Sequence, residues 1–203
     1  MNFIVLGFLT GLSLILAIGA QNIFVIEQGL KKQHVFLVSI VCSISDFILI
    51  FLGIFLFHYF NQFFNTTIEF ILNILLLVFL SHFIYKKVKD FKHEENFIIR
   101  KKNTKENAIN VFLKTLGFTY LNPHVYSDTV FFLGNFSKNF LLLEKIYFGI
   151  GATISSFIFF FSIAYLSKYL SKYSKNKKIW KAINSFIITF MGFLIFYILK
   201  EMT

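Results

Sequence analysis
The chain has 203 residues, of which 57% are hydrophobic, and a mean hydropathy of +0.71. That composition belongs to an integral membrane protein and leaves no room for a sizeable soluble domain. A net charge of +10 would suit nucleic acid, but its placement along the chain argues against that partner, and the single cysteine, Cys42, excludes an internal disulfide or a Cys-Cys redox pair.

Six apolar stretches are predicted as membrane helices, at about residues 3–26, 35–57, 68–85, 111–134, 146–166 and 180–199. Each is near the roughly 20 residues that a bilayer-crossing helix needs. The third is the shortest, with Glu69 at its edge, and the fourth is interrupted. Basic residues sort by loop. Two lie in the first loop (Lys31, Lys32), eight in the third (residues 86–105) and six in the fifth (residues 168–181), against Lys138, Lys145 and Lys200 on the opposite side. Sixteen against three places loops one, three and five in the cytoplasm and both termini outside. Ala17-Ile-Gly19 before Ala20 could pass as a signal-peptide cleavage site, but no basic residue precedes Lys31, so the stretch is read as a retained first helix.

In helix 1, Gly7 and Gly11 have the spacing that lets helices approach closely. Gly19-Ala20-Gln21-Asn22 follows within the same apolar run. Side-chain amides in lipid need partners, so Gln21 and Asn22 are expected to face the bundle interior, either as interhelical glue or as site lining. Glu27, Lys31 and Lys32 read as a solvated cytoplasmic edge. Helix 2 carries Asp46 at its middle, on one face with Ser39, Cys42, Ser43 and Gly53. An ionisable group there is costly, so a cation or proton site is favoured over a structural carboxylate bonded to nearby hydroxyls. In helix 3, Asn73, Ser81 and His82 suggest nothing beyond packing and an interfacial position. The charged loop that follows shows no catalytic motif, and no zinc-type cluster is visible among the five histidines.

Helix 4 holds the one proline, Pro123, within Thr119-Tyr-Leu-Asn-Pro-His-Val-Tyr-Ser-Asp-Thr129. Proline lacks a backbone donor and clashes with the preceding turn, which predicts a break near Asn122. Broken backbone at membrane depth survives only when buried in protein or lining a watery cavity. His124 and Asp128, at i and i+4, share a face of the second half-helix. Helix 5 then echoes helix 2. Ser43-Ile-Ser-Asp-Phe-Ile-Leu-Ile-Phe51 matches Thr153-Ile-Ser-Ser-Phe-Ile-Phe-Phe-Phe161 at five of nine positions, and Ser39, Cys42 and Asp46 correspond to Gly149, Ala152 and Ser156. Nearly the same register sets Asn73 against Asn184. A unit of three helices occurring twice must be inverted in its second copy. The predicted fold is therefore an all-α membrane protein of six transmembrane helices in two inverted repeats (about residues 1–88 and 109–203, flanking a cytoplasmic loop at about 86–108). Helices 1 and 4 are broken or loosened near the midplane, where such transporters bind substrate.

Gly19-Ala-Gln-Asn22, Ser45-Asp46-Phe47 and the Thr119–Thr129 motif, in this order and spacing, resemble the LysE/ArgO basic amino-acid exporters over essentially the whole chain. The combination of Gly19-Ala-Gln-Asn22 with the histidine after the proline favours that branch over the related neutral amino-acid exporters. The resemblance implies export of L-lysine and L-arginine across the bacterial inner membrane, driven by the ion gradient. Two positions depart from the family pattern: Ala17 stands where a proline is usual, and Ser127 where an apolar residue is usual.

The residues suit such a substrate. Half-helix N-termini and the amides of Gln21, Asn22 and Asn122 can hold its α-carboxylate. Asp46 and Asp128 are the carboxylates placed to meet its cationic side chain, one of them alternating between proton and substrate with His124 tuning it. Gly19 and Pro123 supply the backbone breaks. No cofactor or resident metal is expected, membrane lipids are the surroundings, and exposed small residues would permit a homodimer. Two other readings stay open: efflux of a divalent metal or other cation through the same bundle, with His124 and Asp128 as ligands, and an intramembrane enzyme using the same pair as acid and base.

Overall fold
The computed structural model describes the chain except residues 1, 17–18, 64–65, 93–105, 173–176 and 203, and it describes side chains at all but residues 58–63, 66, 69, 87, 90–92, 177–181, 184 and 201–202 of the remainder. Ala17, the middle of the charged loop and the side chains of Glu69 and Asn184 thus lie outside the described residues. Among the described residues the regular structure is helical throughout, with no strand.

Two helices, α1 (Phe3–Ile15) and α2 (Ala20–Lys31), come from the first apolar stretch. They meet at 83°, so the stretch is bent rather than straight. Asn2 caps α1, its side chain accepting from the Ile4 N–H at 3.1 Å. Next come α3 (Val35–Phe63) and α4 (Thr66–Lys92). The fourth stretch is divided into α5 (Ala108–Tyr120) and a second half-helix, α6, made of Pro123–Val125, a π-helical segment Tyr126–Phe132 and Leu133–Ser137. Finally α7 (Leu142–Leu170) and α8 (Lys177–Met202) complete the chain.

By length and composition, Val35–Phe57 of α3 and Leu142–Leu170 of α7 cross a membrane, and the α1–α2 pair counts as a third crossing if taken as one bent span. Among the residues with described side chains, α4 and α8 contribute the apolar stretches Phe70–Lys86 and Ser185–Lys200, within helices of 27 and 26 residues. The protein is a multi-pass, all-helical membrane protein.

Small residues decide which helices touch. α1 lies against α7 so closely that a Cβ on Gly7 would come within 2.0 Å of the Phe148 carbonyl oxygen, and one on Gly151 within 2.0 Å of the Ile4 carbonyl oxygen. Between them, Gly11 faces Ala152 and Ser155. Without a hydrophobic drive between helices in lipid, this intimacy is what holds them together. A Gly151→Ala protein should therefore lose about 1–3 kcal/mol, because the obstacle is backbone and cannot swing away. Thermal unfolding of the detergent-purified protein checks this, and an unchanged midpoint would refute it. A similar crossing joins α3 to α6, where Gly53 faces the Val130 and Thr129 carbonyls and Gly134 faces the Gly53 carbonyl.

Two apolar cores result. One gathers α2, α3, α4, α5, α7 and α8, and at its heart Phe118 of α5 stacks on Phe24 of α2 at 4.7 Å and meets Phe79 and Phe83 of α4 edge-on at 4.8 and 5.1 Å. The other gathers Ile50, Ile54, Leu133, Phe148 and Ala152 from α3, α6 and α7.

Glu27 corrects the sequence reading of a solvated edge. It is 2% exposed and pairs with Lys31 at 2.6 Å. Its burial follows from α2 packing on α7, where Gly29 sits against the Ala164 carbonyl and Ser167. Nearby, the His34 ring Nε2–H donates to the Glu106 carbonyl at 2.7 Å, and Glu106 pairs with Lys114, so Lys114 is held near the start of α5.

Candidate functional site
Both broken stretches leave a carbonyl without its helical partner, and each is met by a side chain from beyond the break. Asn22 Nδ2 donates to the Ile15 carbonyl at 3.2 Å, and the Tyr126 hydroxyl donates to the Tyr120 carbonyl at 2.9 Å. The two second halves begin differently. Asn122 caps α6, its Oδ1 accepting from the His124 N–H at 3.2 Å, with Pro123 at the first helical position where the absent N–H costs nothing. Gly19 precedes α2 in extended backbone and offers no side chain, so the first N–H groups of α2 have no side-chain cap. The wide turns of the π-helical segment carry Asp128 and Thr129, and the Thr129 hydroxyl donates to the Val125 carbonyl at 2.5 Å.

A cavity of about 430 Å³ opens where the breaks meet. Gln21, Asn22, Asp46, Asn122, His124 and Asp128, the six residues singled out from the sequence, all line it, and so does Gly19. Pro123, between the lining residues Asn122 and His124, is itself buried and shapes the backbone rather than the wall. Polar groups come from α2, α3 and α6. Leu76 and Leu80 of α4 and Leu194, Tyr197 and Ile198 of α8 make an apolar wall, with Phe160 from α7.

Asp46 is the most enclosed acid of the cavity, 3% exposed, and accepts a hydrogen bond from the Ser156 hydroxyl at 2.7 Å. The face expected on this helix is present: Ser39, Cys42, Ser43 and Gly53 are all buried with Asp46. Asp128 is half-buried and His124 exposed. Gln21 is buried, and among the described residues its amide nitrogen has no hydrogen-bond partner. A buried amide donor with nothing to bind is costly, and a ligand in the cavity would relieve it. The arrangement offers donors from amides and a bare helix N-terminus, and two carboxylates, within one apolar enclosure. It can hold a small molecule bearing both an anionic and a cationic group.

Tyr197 and Thr129 were not singled out from the sequence. Tyr197 is one of nine tyrosines, and Thr129 closed the motif as a boundary residue. Asn73, read as a packing residue, is buried, and His82 is exposed.

The model of the family described as LysE type translocator matches residues 12–201. Among curated proteins, the arginine exporter protein ArgO of Pectobacterium carotovorum subsp. carotovorum is 29% identical over 189 residues, covering 89% of this chain and 88% of that protein. The protein of the same name from Klebsiella pneumoniae is 28% identical over 198 residues, covering 96% and 92%. No solved structure matches the chain.

Proposed function
Since this chain belongs to the LysE type translocator family, a family of transporters rather than enzymes, we propose that it exports the basic L-amino acids arginine and lysine across the cytoplasmic membrane in exchange for protons. The observation that carries this reading is the cavity's division of labour. The uncapped start of α2 and the amides of Gln21, Asn22 and Asn122 suit an α-carboxylate. Asp46 and Asp128 suit the cationic groups, and the apolar wall suits the methylene stem between. Relatives named arginine exporters support the substrate class.

Carrying one positive charge outward against an inside-negative potential costs about 2.3 kcal/mol per 100 mV. An incoming proton cancels that charge movement. Asp46 or Asp128 takes the proton when the cation leaves, with His124 beside the route. As the wider architecture we infer six crossings in two inverted repeats, the basic loops cytoplasmic and the termini outside. Asp46 and Ser156, equivalent in the two repeats, are bonded to each other. α3 and α7 run antiparallel, with Ser39 near Phe160 and Gly149 near Phe51 and Ile54, as an inverted pair requires. A metal cargo is the weaker reading, because among the described residues no group of three or more His, Cys, Asp or Glu could hold an ion.

Cells preloaded with lysine- or arginine-containing dipeptides test the proposal. With the protein present, the free amino acid should appear outside faster, and a protonophore should return the rate to that of cells lacking it. Unchanged efflux of both amino acids would overturn the export reading. Efflux that survives the protonophore would overturn the coupling alone.

A further inference from the structure
We propose that Gln21 makes the α-carboxylate an obligatory part of the cargo, so that the decarboxylated amines, which carry the same cationic side chains, are refused; this rests on the export reading above. Gln21 is 6% exposed and lines the cavity, and among the described residues its amide nitrogen has no hydrogen-bond partner. The Cys42 thiol beside it is a weak acceptor and does not complete a hydrogen bond with it. The other two amides of the cavity already have structural tasks. Asn22 donates across the break to the Ile15 carbonyl, and Asn122 caps α6. Gln21 also stands in the first turn of α2, which has no side-chain cap. Among the described residues nothing lies within 4 Å of where a Cβ on Gly19 would be. An uncommitted buried donor thus borders an open, uncapped helix N-terminus.

That pairing defines the ligand group. The first N–H groups of a helix and its positive dipole end favour an anion, and an amide N–H beside them adds a further donor, a setting that fits a carboxylate. Asp46 and Asp128 cannot tell arginine from agmatine, which is arginine without its carboxylate, since both carry the guanidinium. The opposite end of the cavity can. A carboxylate there satisfies the orphaned donor, whereas a decarboxylated amine leaves it buried and unpaired. A site that hydrogen-bonds a substrate group rejects an analogue lacking that group far more strongly than an apolar pocket rejects a missing methylene.

The test uses the full chain in proteoliposomes preloaded with labelled arginine or agmatine, comparing initial efflux rates of wild type, Gln21→Met and Gln21→Glu. Wild type should export arginine about a hundredfold faster than agmatine. Gln21→Met, close in shape but without a donor, should lower that ratio about tenfold by slowing arginine and not agmatine. Gln21→Glu keeps the shape and sets a negative charge against the carboxylate, so it should slow arginine further and release agmatine faster than wild type does. If the glutamate variant does not accumulate, the methionine variant decides. A wild type that exports agmatine as fast as arginine, a Gln21→Met protein that slows both equally or neither, or an accumulating Gln21→Glu protein without faster agmatine efflux would each overturn the assignment while leaving export intact. Export of neither compound by wild type would instead overturn the reading on which it rests.

Discussion

An Asp46→Asn protein should accumulate normally and export neither arginine nor lysine above background, a loss of about a hundredfold or more. Asparagine has nearly the shape of aspartate, and its side-chain oxygen can still accept from the Ser156 hydroxyl. Packing against α7 is thus retained and only the charge is lost. Of the two cavity acids Asp46 is the more withdrawn from water, so its attraction for a cation is the less screened. Removing one partner of such a buried pair costs about 3–5 kcal/mol, the source of the predicted factor. Asp128, half-buried, should matter less, and Asp128→Asn is expected to slow export about tenfold. Efflux normalised to membrane protein level checks both. If the two single variants each transported at wild-type rates, the carboxylate mechanism would be dead.

The second large effect concerns backbone. Replacing Pro123 with alanine should leave the protein folded and reduce export at least tenfold. Proline at this point lacks an N–H and keeps Asn122 extended, with φ −85° and ψ 109°, so α5 stops at Tyr120 and α6 starts afresh. Alanine removes both constraints and lets the two half-helices join. A joined helix would bring the freed carbonyls back into the helical ladder, turn Asn122 into a mid-helix residue and swing His124 and Asp128 away from their present positions. The chemistry of every polar cavity residue is unchanged in this variant, so a loss of export would show that the break itself is needed. Wild-type efflux from Pro123→Ala would show the opposite.

The polar residues of the cavity were legible in the sequence because lipid makes them conspicuous. Gln21, Asn22, Asp46, Asn122, His124 and Asp128 interrupt runs of leucine, isoleucine and phenylalanine, and each needs a partner or a purpose at that depth. Pro123 likewise announces a break through its own covalent structure. Tyr197 gave no such signal, since tyrosine near the end of an apolar helix is ordinary at a membrane boundary. The π-helical turn over Tyr126–Phe132 was also silent, because an extra residue per turn is a compromise with neighbours such as Gly53. Glu27 misled for a local reason. Beside Lys31 and Lys32 it looks like an exposed ion pair, and only the close packing allowed by Gly29 encloses it.

The three rings around Phe118 have one more implication. Phe24, Phe79 and Phe83 touch it from two other helices, so anything passing between α2, α4 and α5 must first part three aromatic contacts. At about 0.5–1.5 kcal/mol each, beyond simple burial, these contacts bind the three helices together by a few kcal/mol. The joint carries no charge. Its strength should therefore be indifferent to ionic strength and to membrane voltage, whereas the pull of Asp46 and Asp128 on a cation is not.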